Sequence, residues 1–153
     1  MPEIRPVTRD NWRDLARVKV REAQKNFVAQ NVYSIAESQF GAEHEGHWDL
    51  YPVGIFDGDL PVGLLMYGLN LSHPKTQAFI IRLMVDENHQ WKGYGRFGME
   101  KMLEIFRADG RIQSVGISYE PENELAKGLY ARLGFVETRE IDHGEAIAVL
   151  KLR

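Results

Sequence analysis

The fold is decided by one stretch that joins an apolar run to a helical one, Leu83-Met84-Val85-Asp86-Glu87-Asn88-His89-Gln90-Trp91-Lys92-Gly93-Tyr94-Gly95-Arg96. Gly93 and Gly95 stand two residues apart between a strand and a helix, where glycine lets successive backbone N–H groups converge on one point. The following helix adds the partial positive charge of its N-terminus, and Lys92 and Arg96 flank the turn as cations. This glycine turn, residues 90 to 96, predicts a site for a phosphate or a diphosphate.

Two common phosphate-binding loops fit these glycines less well. A Walker-type loop requires Gly-Lys followed by Ser or Thr after its second glycine, and the sequence has Arg96 there instead. Gly98 completes the spacing of a dinucleotide fingerprint, but that fingerprint follows the first strand of a parallel unit. Here three strands and two helices are predicted to precede the strand that leads into the turn. A plain turn without a ligand is the remaining alternative for this segment taken alone.

The hydrophobic pattern on both sides predicts a mixed α/β sandwich with the order β-α-α-β-β-β-α-β-α-β-β. Met99, Met102, Leu103 and Phe106 form an i, i+3, i+4, i+7 stripe, which predicts the buried face of the helix after the turn. Strands are predicted over residues 4–7, 52–56, 62–71, 77–86, 112–119, 135–141 and 146–152.

The other helices are predicted from spacing and from residues that begin or end a helix. The first covers residues 12–23 with Asp10 as its cap, and the second covers residues 33–45 and ends at Gly46. A short helix is predicted over residues 125–133. Hairpin turns are predicted at Asp57-Gly58-Asp59-Leu60 and at His143-Gly144.

The composition is that of an ordinary globular chain. The sequence has 153 residues, 44% hydrophobic and 27% charged, which predicts a single domain over residues 1–153 with its own core. Its formal net charge of −3 offers no cationic surface for nucleic acid or for an anionic membrane. The chain has no cysteine, which excludes disulfides, thiolate metal sites and a cysteine nucleophile. Without a secretory signal or an apolar span, we expect a cytoplasmic protein.

A second segment, Asn123 to Phe135, carries polar side chains on one face of a predicted helix. Asn123 and Tyr130 are seven residues apart, which is two helical turns, and Ala126 lies between them on the same face. The alignment of a hydroxyl with an amide indicates that this face contacts something polar. The alternative is a partly buried tyrosine that keeps only its hydroxyl at the surface.

Together the two segments resemble the GNAT superfamily of N-acetyltransferases. The resemblance rests on three motifs, Met84-Val85-Asp86, then Gln90-x-x-Gly93-x-Gly95, then Asn123-x-x-Ala126-x-x-x-Tyr130-x-x-x-Gly134-Phe135. It covers essentially the whole chain, because the order of elements matches as well. It implies the GNAT acyltransferase fold, which is a mixed, mostly antiparallel sheet of about six or seven strands flanked by about four helices.

The resemblance also implies a cosubstrate, acetyl-coenzyme A, with no metal. The glycine turn would hold the diphosphate, and the preceding strand would pair with the pantetheine arm as another strand would. Tyr130 would be the general acid, because a phenol with a pKa of about 10 stays protonated at neutral pH. The implied cofactor-binding residues are Leu83, Met84, Val85, Gln90, Trp91, Lys92, Gly93, Tyr94, Gly95, Arg96, Asn123, Lys127 and Tyr130.

Acetyl transfer to an amine also needs a base and a donor for the oxyanion. An alkyl ammonium has a pKa of about 10.4, so only about one molecule in a thousand is neutral at pH 7. We expect a backbone N–H near Met84 or Val85 to stabilise the oxyanion. Polyamine acetyltransferases often hold an acidic residue midway along the central strand, and Ile81 stands there instead. The base is left open among three candidates, Glu22, Glu37 and a water chain to Glu87.

The acceptor is expected to be spermidine, spermine or a diamine. Residues 51–55 and 62–68 resemble bacterial spermidine and diamine N-acetyltransferases, and an acidic early region would attract a polycation. Glu22 and Glu37 are the expected substrate-binding residues. The alternatives are an amino acid, an aminoglycoside or a protein N-terminus as acceptor, or a non-catalytic sensor of acyl-coenzyme A. The resemblance further implies a homodimer. From the charge balance, neither nucleic acid nor a membrane is expected as a partner.

Overall fold

The computed structural model describes residues 1–25 and 30–153, except for the side chain of Ala23. These residues form four helices, eight strands and a 3-10 turn at Glu22–Gln24. The helices are α1 (Trp12–Arg17), α2 (Asn31–Ser38), α3 (Tyr94–Ala108) and α4 (Glu124–Arg132). The strands are β1 (Pro2–Pro6), β2 (Ala42–Glu43), β3 (His47–Asp57), β4 (Leu60–Leu69), β5 (Ala78–Val85), β6 (Ser114–Tyr119), β7 (Val136–Asp142) and β8 (Glu145–Lys151).

The strands form one mixed sheet in the order β1-β3-β4-β5-β6-β8-β7, and β2 pairs with the start of β3. Neighbouring strands on that path are antiparallel except for β5 and β6, which are parallel. A parallel pair needs a crossover connection, and α3 provides it. The predicted mixed, mostly antiparallel sheet with four helices is therefore confirmed, and the short strand β2 is an addition to the predicted order.

Helices cover both faces of the sheet. α3 packs on one face through the predicted stripe of two methionines, a leucine and a phenylalanine, all of which are buried. On the other face, Leu15 of α1 packs with Leu64 of β4 and Met84 of β5. Each large apolar side chain that is fully buried contributes about 1.5–3 kcal/mol to stability. Both faces of β5 are therefore covered.

β5 and β6 remain paired over a short distance only. Their register runs from Ala78 with Val115 to Ile80 with Ile117, and it stops there. The register of β5 with β4 shifts at the next residue, Ile81, which is the extra residue of a β-bulge. Because a bulge bends its strand, the C-terminal half of β5 turns away from β6. One edge of this half-strand is left without a strand partner in the part of the chain that the structure describes.

The second helix is shorter than predicted. α2 covers Asn31–Ser38, whereas the sequence predicted a helix over residues 33–45. The large buried side chains that follow, Trp48 and Leu50, alternate with exposed ones, and this is the period of a strand. Gly46 therefore precedes β3 and does not end a helix.

α1 is also shorter than predicted, and Asp10 does not cap it. The helix ends before Val18, a β-branched residue that takes the extended conformation, and it does not run to residue 23. The N-cap position belongs to Asn11, whose side chain accepts a hydrogen bond from Thr8 N–H at 2.8 Å and none from the helix. Among the described residues, no helix is both long and apolar enough to cross a membrane.

We predict that Gly63→Ala destabilises the sheet beside the bulge. A Cβ at this position would lie 2.6 Å from the backbone oxygen of Met84, which cannot move without shifting β5. The expected loss in the free energy of unfolding is about 1–3 kcal/mol, measured by denaturant titration. Gly110→Ala is the matched control, because a Cβ there meets nothing within 4 Å. Equal stability of the two variants would contradict the prediction.

Candidate active site

A cleft of about 260 Å³ opens where β5 turns away from β6. Its walls come from the segment after α1, the C-terminal half of β5, the glycine turn, the start of α3 and one face of α4. The residues that line it are Val20, Gln24, Leu83, Met84, Val85, His89, Gln90, Trp91, Gly93, Tyr94, Gly95, Asn123, Leu125, Ala126, Leu129, Tyr130 and Arg132. The two sequence segments that were predicted to act together therefore face each other across one cleft.

β5 turns backbone donors and acceptors toward this cleft. The N–H of Asp86 donates to the carbonyl of Val62 at 2.7 Å, so residue 86 forms a hydrogen-bonded pair with β4. An antiparallel ladder alternates such pairs, so Met84 also bonds to β4, while Leu83 and Val85 direct their N–H and C=O groups to the open edge. The prediction that the amide of Met84 donates to the oxyanion is therefore wrong, because this N–H bonds to β4. A donor at Val85 stays a prediction.

The first turn of α3 presents backbone donors without acceptors. Gly93 is the N-cap residue, takes a φ of +83° and has no side chain that could cap the helix. In the described chain, the N–H groups of Gly93, Tyr94, Gly95 and Arg96 have no hydrogen-bond acceptor. The first helical bond runs from Phe97 N–H to the carbonyl of Gly93 at 2.9 Å. These donors stand at the positive end of a 15-residue helix, an arrangement that favours an anion.

Gln90 holds the glycine turn in place through its side chain. Its Nε2 donates to Oε1 of Gln24 at 2.7 Å and to the carbonyl of Val85 at 3.1 Å. An amide nitrogen carries two hydrogens, so both are used within the protein. Gln90 therefore ties the 3-10 turn and the end of β5 to the glycine turn.

Asp86 fixes the end of β5 against the segment that follows α1. Its carboxylate accepts hydrogen bonds from the N–H groups of Lys19 at 3.3 Å and Asn88 at 3.1 Å, and it lies 2.9 Å from Nδ1 of His89. Burial raises the pKa of this carboxyl, but the hydrogen bonds from His89, Asn88 and Lys19 outweigh burial and leave the pKa below its ordinary value. The carboxylate is thus charged at neutral pH, and it orients His89 in the cleft wall.

Tyr130 is buried in the wall of the cleft and is 6% exposed. Its ring centroid lies 5.5 Å from that of Tyr119 and 6.2 Å from that of Phe135. Burial, followed by the charges of Tyr119 and Glu145, raises the pKa of Tyr130 above its usual value. The hydroxyl of Tyr119 donates a hydrogen bond to Glu137, whereas the hydroxyl of Tyr130 has no hydrogen-bond partner among the described residues. Tyr130 is therefore a protonated phenol whose hydrogen is free for a ligand.

Asn123 begins α4 as its cap. Its Oδ1 accepts a hydrogen bond from Ala126 N–H at 3.2 Å, which satisfies one of the free donors of the first helical turn. Asn123 and Tyr130 both line the cleft, so the predicted shared face is present. The side-chain amide nitrogen of Asn123 is the part that this cap leaves for a ligand.

The structure places most of the predicted cofactor-binding residues on the cleft, and three of them elsewhere. Lys92, Arg96 and Lys127 are exposed and do not line it. Arg96 instead pairs with Glu100, with Nε 2.7 Å from Oε1. The one Lys or Arg side chain that lines the cleft, within the described residues, is Arg132, which the sequence analysis missed.

Other lining residues were missed for two different reasons. Leu125, Leu129 and Arg132 follow i, i+4, i+7 spacing, so a search for a second face of α4 could have found them. Val20 and Gln24 gave no such signal, because contacts with residues more than sixty positions away hold their segment on the cleft.

Glu22 and Glu37 lie outside the cleft lining, although the sequence predicted that they bind the acceptor. Oε1 of Glu37 lies 2.6 Å from Nη1 of Arg82, which projects from β5. Glu22 is exposed and lies 2.5 Å from Nζ of Lys25. Each of these two carboxylates has a cation beside it, and the cleft has no Asp or Glu among its lining residues in the described chain.

Two histidines, His44 and His47, lie beside and within the β2–β3 hairpin. His47 stands between Glu43 and Asp49, and these carboxylates raise its pKa against the opposing effect of burial, with the hydrogen bond to Glu43 as the largest cause. No group of three metal-ligating side chains is found in residues 1–25 and 30–153.

Comparison with known proteins gives one family and many solved structures of the same fold. The model of the acetyltransferase (GNAT) family matches residues 11–135. The PaiA N-acetyltransferase of Thermoplasma acidophilum, solved in complex with coenzyme A, is 16% identical, with 99% of both chains covered and a TM-score of 0.71. The ribosomal-protein-S18-alanine N-acetyltransferase of Escherichia coli is 15% identical, with 99% of this chain and 94% of that chain covered and a TM-score of 0.73. Comparison with curated proteins finds no match.

We predict that Asn123→Ala lowers the free energy of unfolding by about 1 kcal/mol, because the first turn of α4 loses its cap. Asn123→Asp is the matched control, since its carboxylate oxygen still accepts from Ala126 N–H. Denaturant titration of both variants measures the difference. A loss of the same size in both variants would show that the cap is not the cause.

Proposed function

Because the chain belongs to the GNAT acetyltransferase family, we propose that it transfers the acetyl group of acetyl-coenzyme A to a primary amine in the cleft. One observation supports this use of the cleft above the others. Three residues of the glycine turn whose N–H groups have no acceptor in the described chain, the open edge of β5 and Tyr130 all line the same cleft. An anion, an extended amide chain and a thioester each find a suitable partner there.

The open edge of β5 and the first turn of α3 suit the two halves of the coenzyme. The amide groups of the pantetheine arm would pair with free backbone groups of Leu83 and Val85, as an added strand does, while the carbonyl of Val85 already accepts a hydrogen bond from Gln90. The diphosphate would accept hydrogen bonds from the free N–H groups of residues 93 to 96. Arg132 adds a cation to the same cleft.

The reaction makes one amide bond and breaks one thioester bond. The amine nitrogen attacks the thioester carbon. Of the two N–H groups of Leu83 and Val85, the one that the pantetheine arm leaves free is the candidate donor to the oxyanion that forms. When the carbon–sulfur bond breaks, Tyr130 gives its proton to the sulfur, and the second proton that the nitrogen loses as the amide forms restores the phenol of Tyr130. The raised pKa of Tyr130 keeps that proton in place until negative charge develops on the sulfur, whose own proton affinity rises in the same buried surroundings.

We propose that the proton of the attacking ammonium leaves through water. Among the described residues, no Asp or Glu lines the cleft, and Glu22 and Glu37 are held by other cations. Glu87 lies two residues beyond Val85, where a water chain from the cleft could end, and its carboxylate is 3.7 Å from Nζ of Lys19. This arrangement favours removal of the proton to solvent over a base in direct contact with the amine.

For the acceptor we propose a polyamine or a diamine. The support is the similarity of residues 51–55 and 62–68 to polyamine acetyltransferases and the formal net charge of −3, which favours a cationic acceptor. A protein N-terminus is the second candidate. It is favoured by the ion pair between Glu37 and Arg82, which removes one carboxylate that a second ammonium group would need.

We predict that Tyr130→Phe lowers kcat by about tenfold or more and leaves the affinity for acetyl-coenzyme A unchanged. The reason is that the phenyl ring keeps the packing of Tyr130 but cannot give a proton to the sulfur. Release of free thiol measures kcat, and calorimetry measures affinity. Tyr119→Phe is the matched control, because that tyrosine packs beside Tyr130 and does not line the cleft. An unchanged kcat in Tyr130→Phe would exclude the acid role.

We predict that spermidine or a diamine gives the highest kcat/KM in a panel of amines. The panel contains polyamines, free amino acids, aminoglycosides and peptides with free N-termini, each tested with acetyl-coenzyme A by thiol release. A higher kcat/KM with the peptides would show that a protein N-terminus, and not a polyamine, is the preferred acceptor. If coenzyme A binds but no amine in the panel gives thiol release, the result would favour a non-catalytic sensor of acyl-coenzyme A.

A further inference from the structure

Trp91 combines two unfavourable features at the edge of the cleft. The residue is 72% exposed, and its φ of +66° lies in the left-handed region that bulky side chains rarely adopt. Exposure of an indole ring to water is itself unfavourable. Strain and exposure at one residue of a binding cleft indicate that the ring has a ligand.

The surrounding contacts hold Trp91 in this conformation. The preceding residue, Gln90, is fixed by hydrogen bonds to Gln24 and Val85, and two residues later Gly93 has a φ of +83°. Among the large apolar side chains that are exposed in the described chain, only Trp91 and Leu125 line the cleft. The turn therefore presents the ring at the cleft.

The ring lies within reach of a group attached to a bound diphosphate. The free N–H groups of α3 begin at Gly93, and two residues span at most about 7 Å. The adenosine of coenzyme A is bonded directly to the diphosphate. A diphosphate at residues 93 to 96 therefore puts the adenine ring within the range of the indole of Trp91.

We propose that Trp91 is the stacking platform for the adenine ring of the coenzyme, an inference that rests on the proposed function. Adenine and indole are flat aromatic systems, and stacking them removes both surfaces from water. The contact makes the nucleoside end of the coenzyme contribute to affinity, so that full-length coenzyme A binds more tightly than its pantetheine part.

Calorimetry with two ligands tests the platform. Coenzyme A carries adenosine, and 4′-phosphopantetheine lacks it but keeps the arm and one phosphate. In Trp91→Ala we expect the Kd for coenzyme A to rise about tenfold and the Kd for 4′-phosphopantetheine to stay unchanged. Trp91→Phe should keep most of the affinity for coenzyme A, because a phenyl ring still stacks. Ile105→Ala, an exposed apolar position far along α3, should change neither Kd.

Fluorescence gives a second readout on the same protein. Coenzyme A should quench the emission of Trp91, 4′-phosphopantetheine should not, and Trp91→Phe should lose the quenching. An unchanged Kd for coenzyme A in Trp91→Ala would overturn the platform, as would an equal loss for both ligands, which would mean that Trp91 only shapes the turn. If the unmodified protein binds no coenzyme A, the proposed function fails instead.

Discussion

The separation of β5 from β6 determines where the cleft lies and which backbone groups face it. The bulge at Ile81 ends the pairing of β5 with β6 and leaves the N–H and C=O groups of Leu83 and Val85 without a strand partner. The crossover helix α3 begins at the same end of β5, because a parallel pair is connected through it. One feature of the sheet therefore puts a free strand edge and a free helix N-terminus side by side.

The groups that hold this arrangement are different from those that serve a ligand. Asp86 and the side chain of Gln90 form their hydrogen bonds within the protein. Asp86 connects the end of β5 to the segment after α1, and Gln90 connects it to the 3-10 turn. The first-turn amides of α3 and the hydroxyl of Tyr130 have no such partners in the described chain. Binding energy is thus available at groups whose positions are already fixed, which reduces the entropy lost on binding.

Sequence reasoning succeeded where a short pattern determines local structure. The apolar stripe of α3, the two hairpin turns and the glycine turn each follow from spacing within a few residues. It failed where distant contacts decide the outcome. Residues 42–45 were predicted as the end of a helix, and the predicted strand began only at residue 52, although Trp48 and Leu50 alternate as in a strand. The bulge at Ile81 has no signal of its own in the sequence. The pairing of Glu37 with Arg82 likewise joins residues far apart in the chain.

Backbone amide shifts on addition of coenzyme A show whether the coenzyme lies along the free edge of β5 and the first turn of α3. We expect the largest changes in a nitrogen–proton correlation spectrum at residues 93 to 96 and at Leu83 and Val85. The amide of Met84 should be little affected, because it bonds to β4. This placement of the coenzyme would be contradicted by changes confined to the β2–β3 hairpin, or by changes at Met84 that exceed those of its two neighbours.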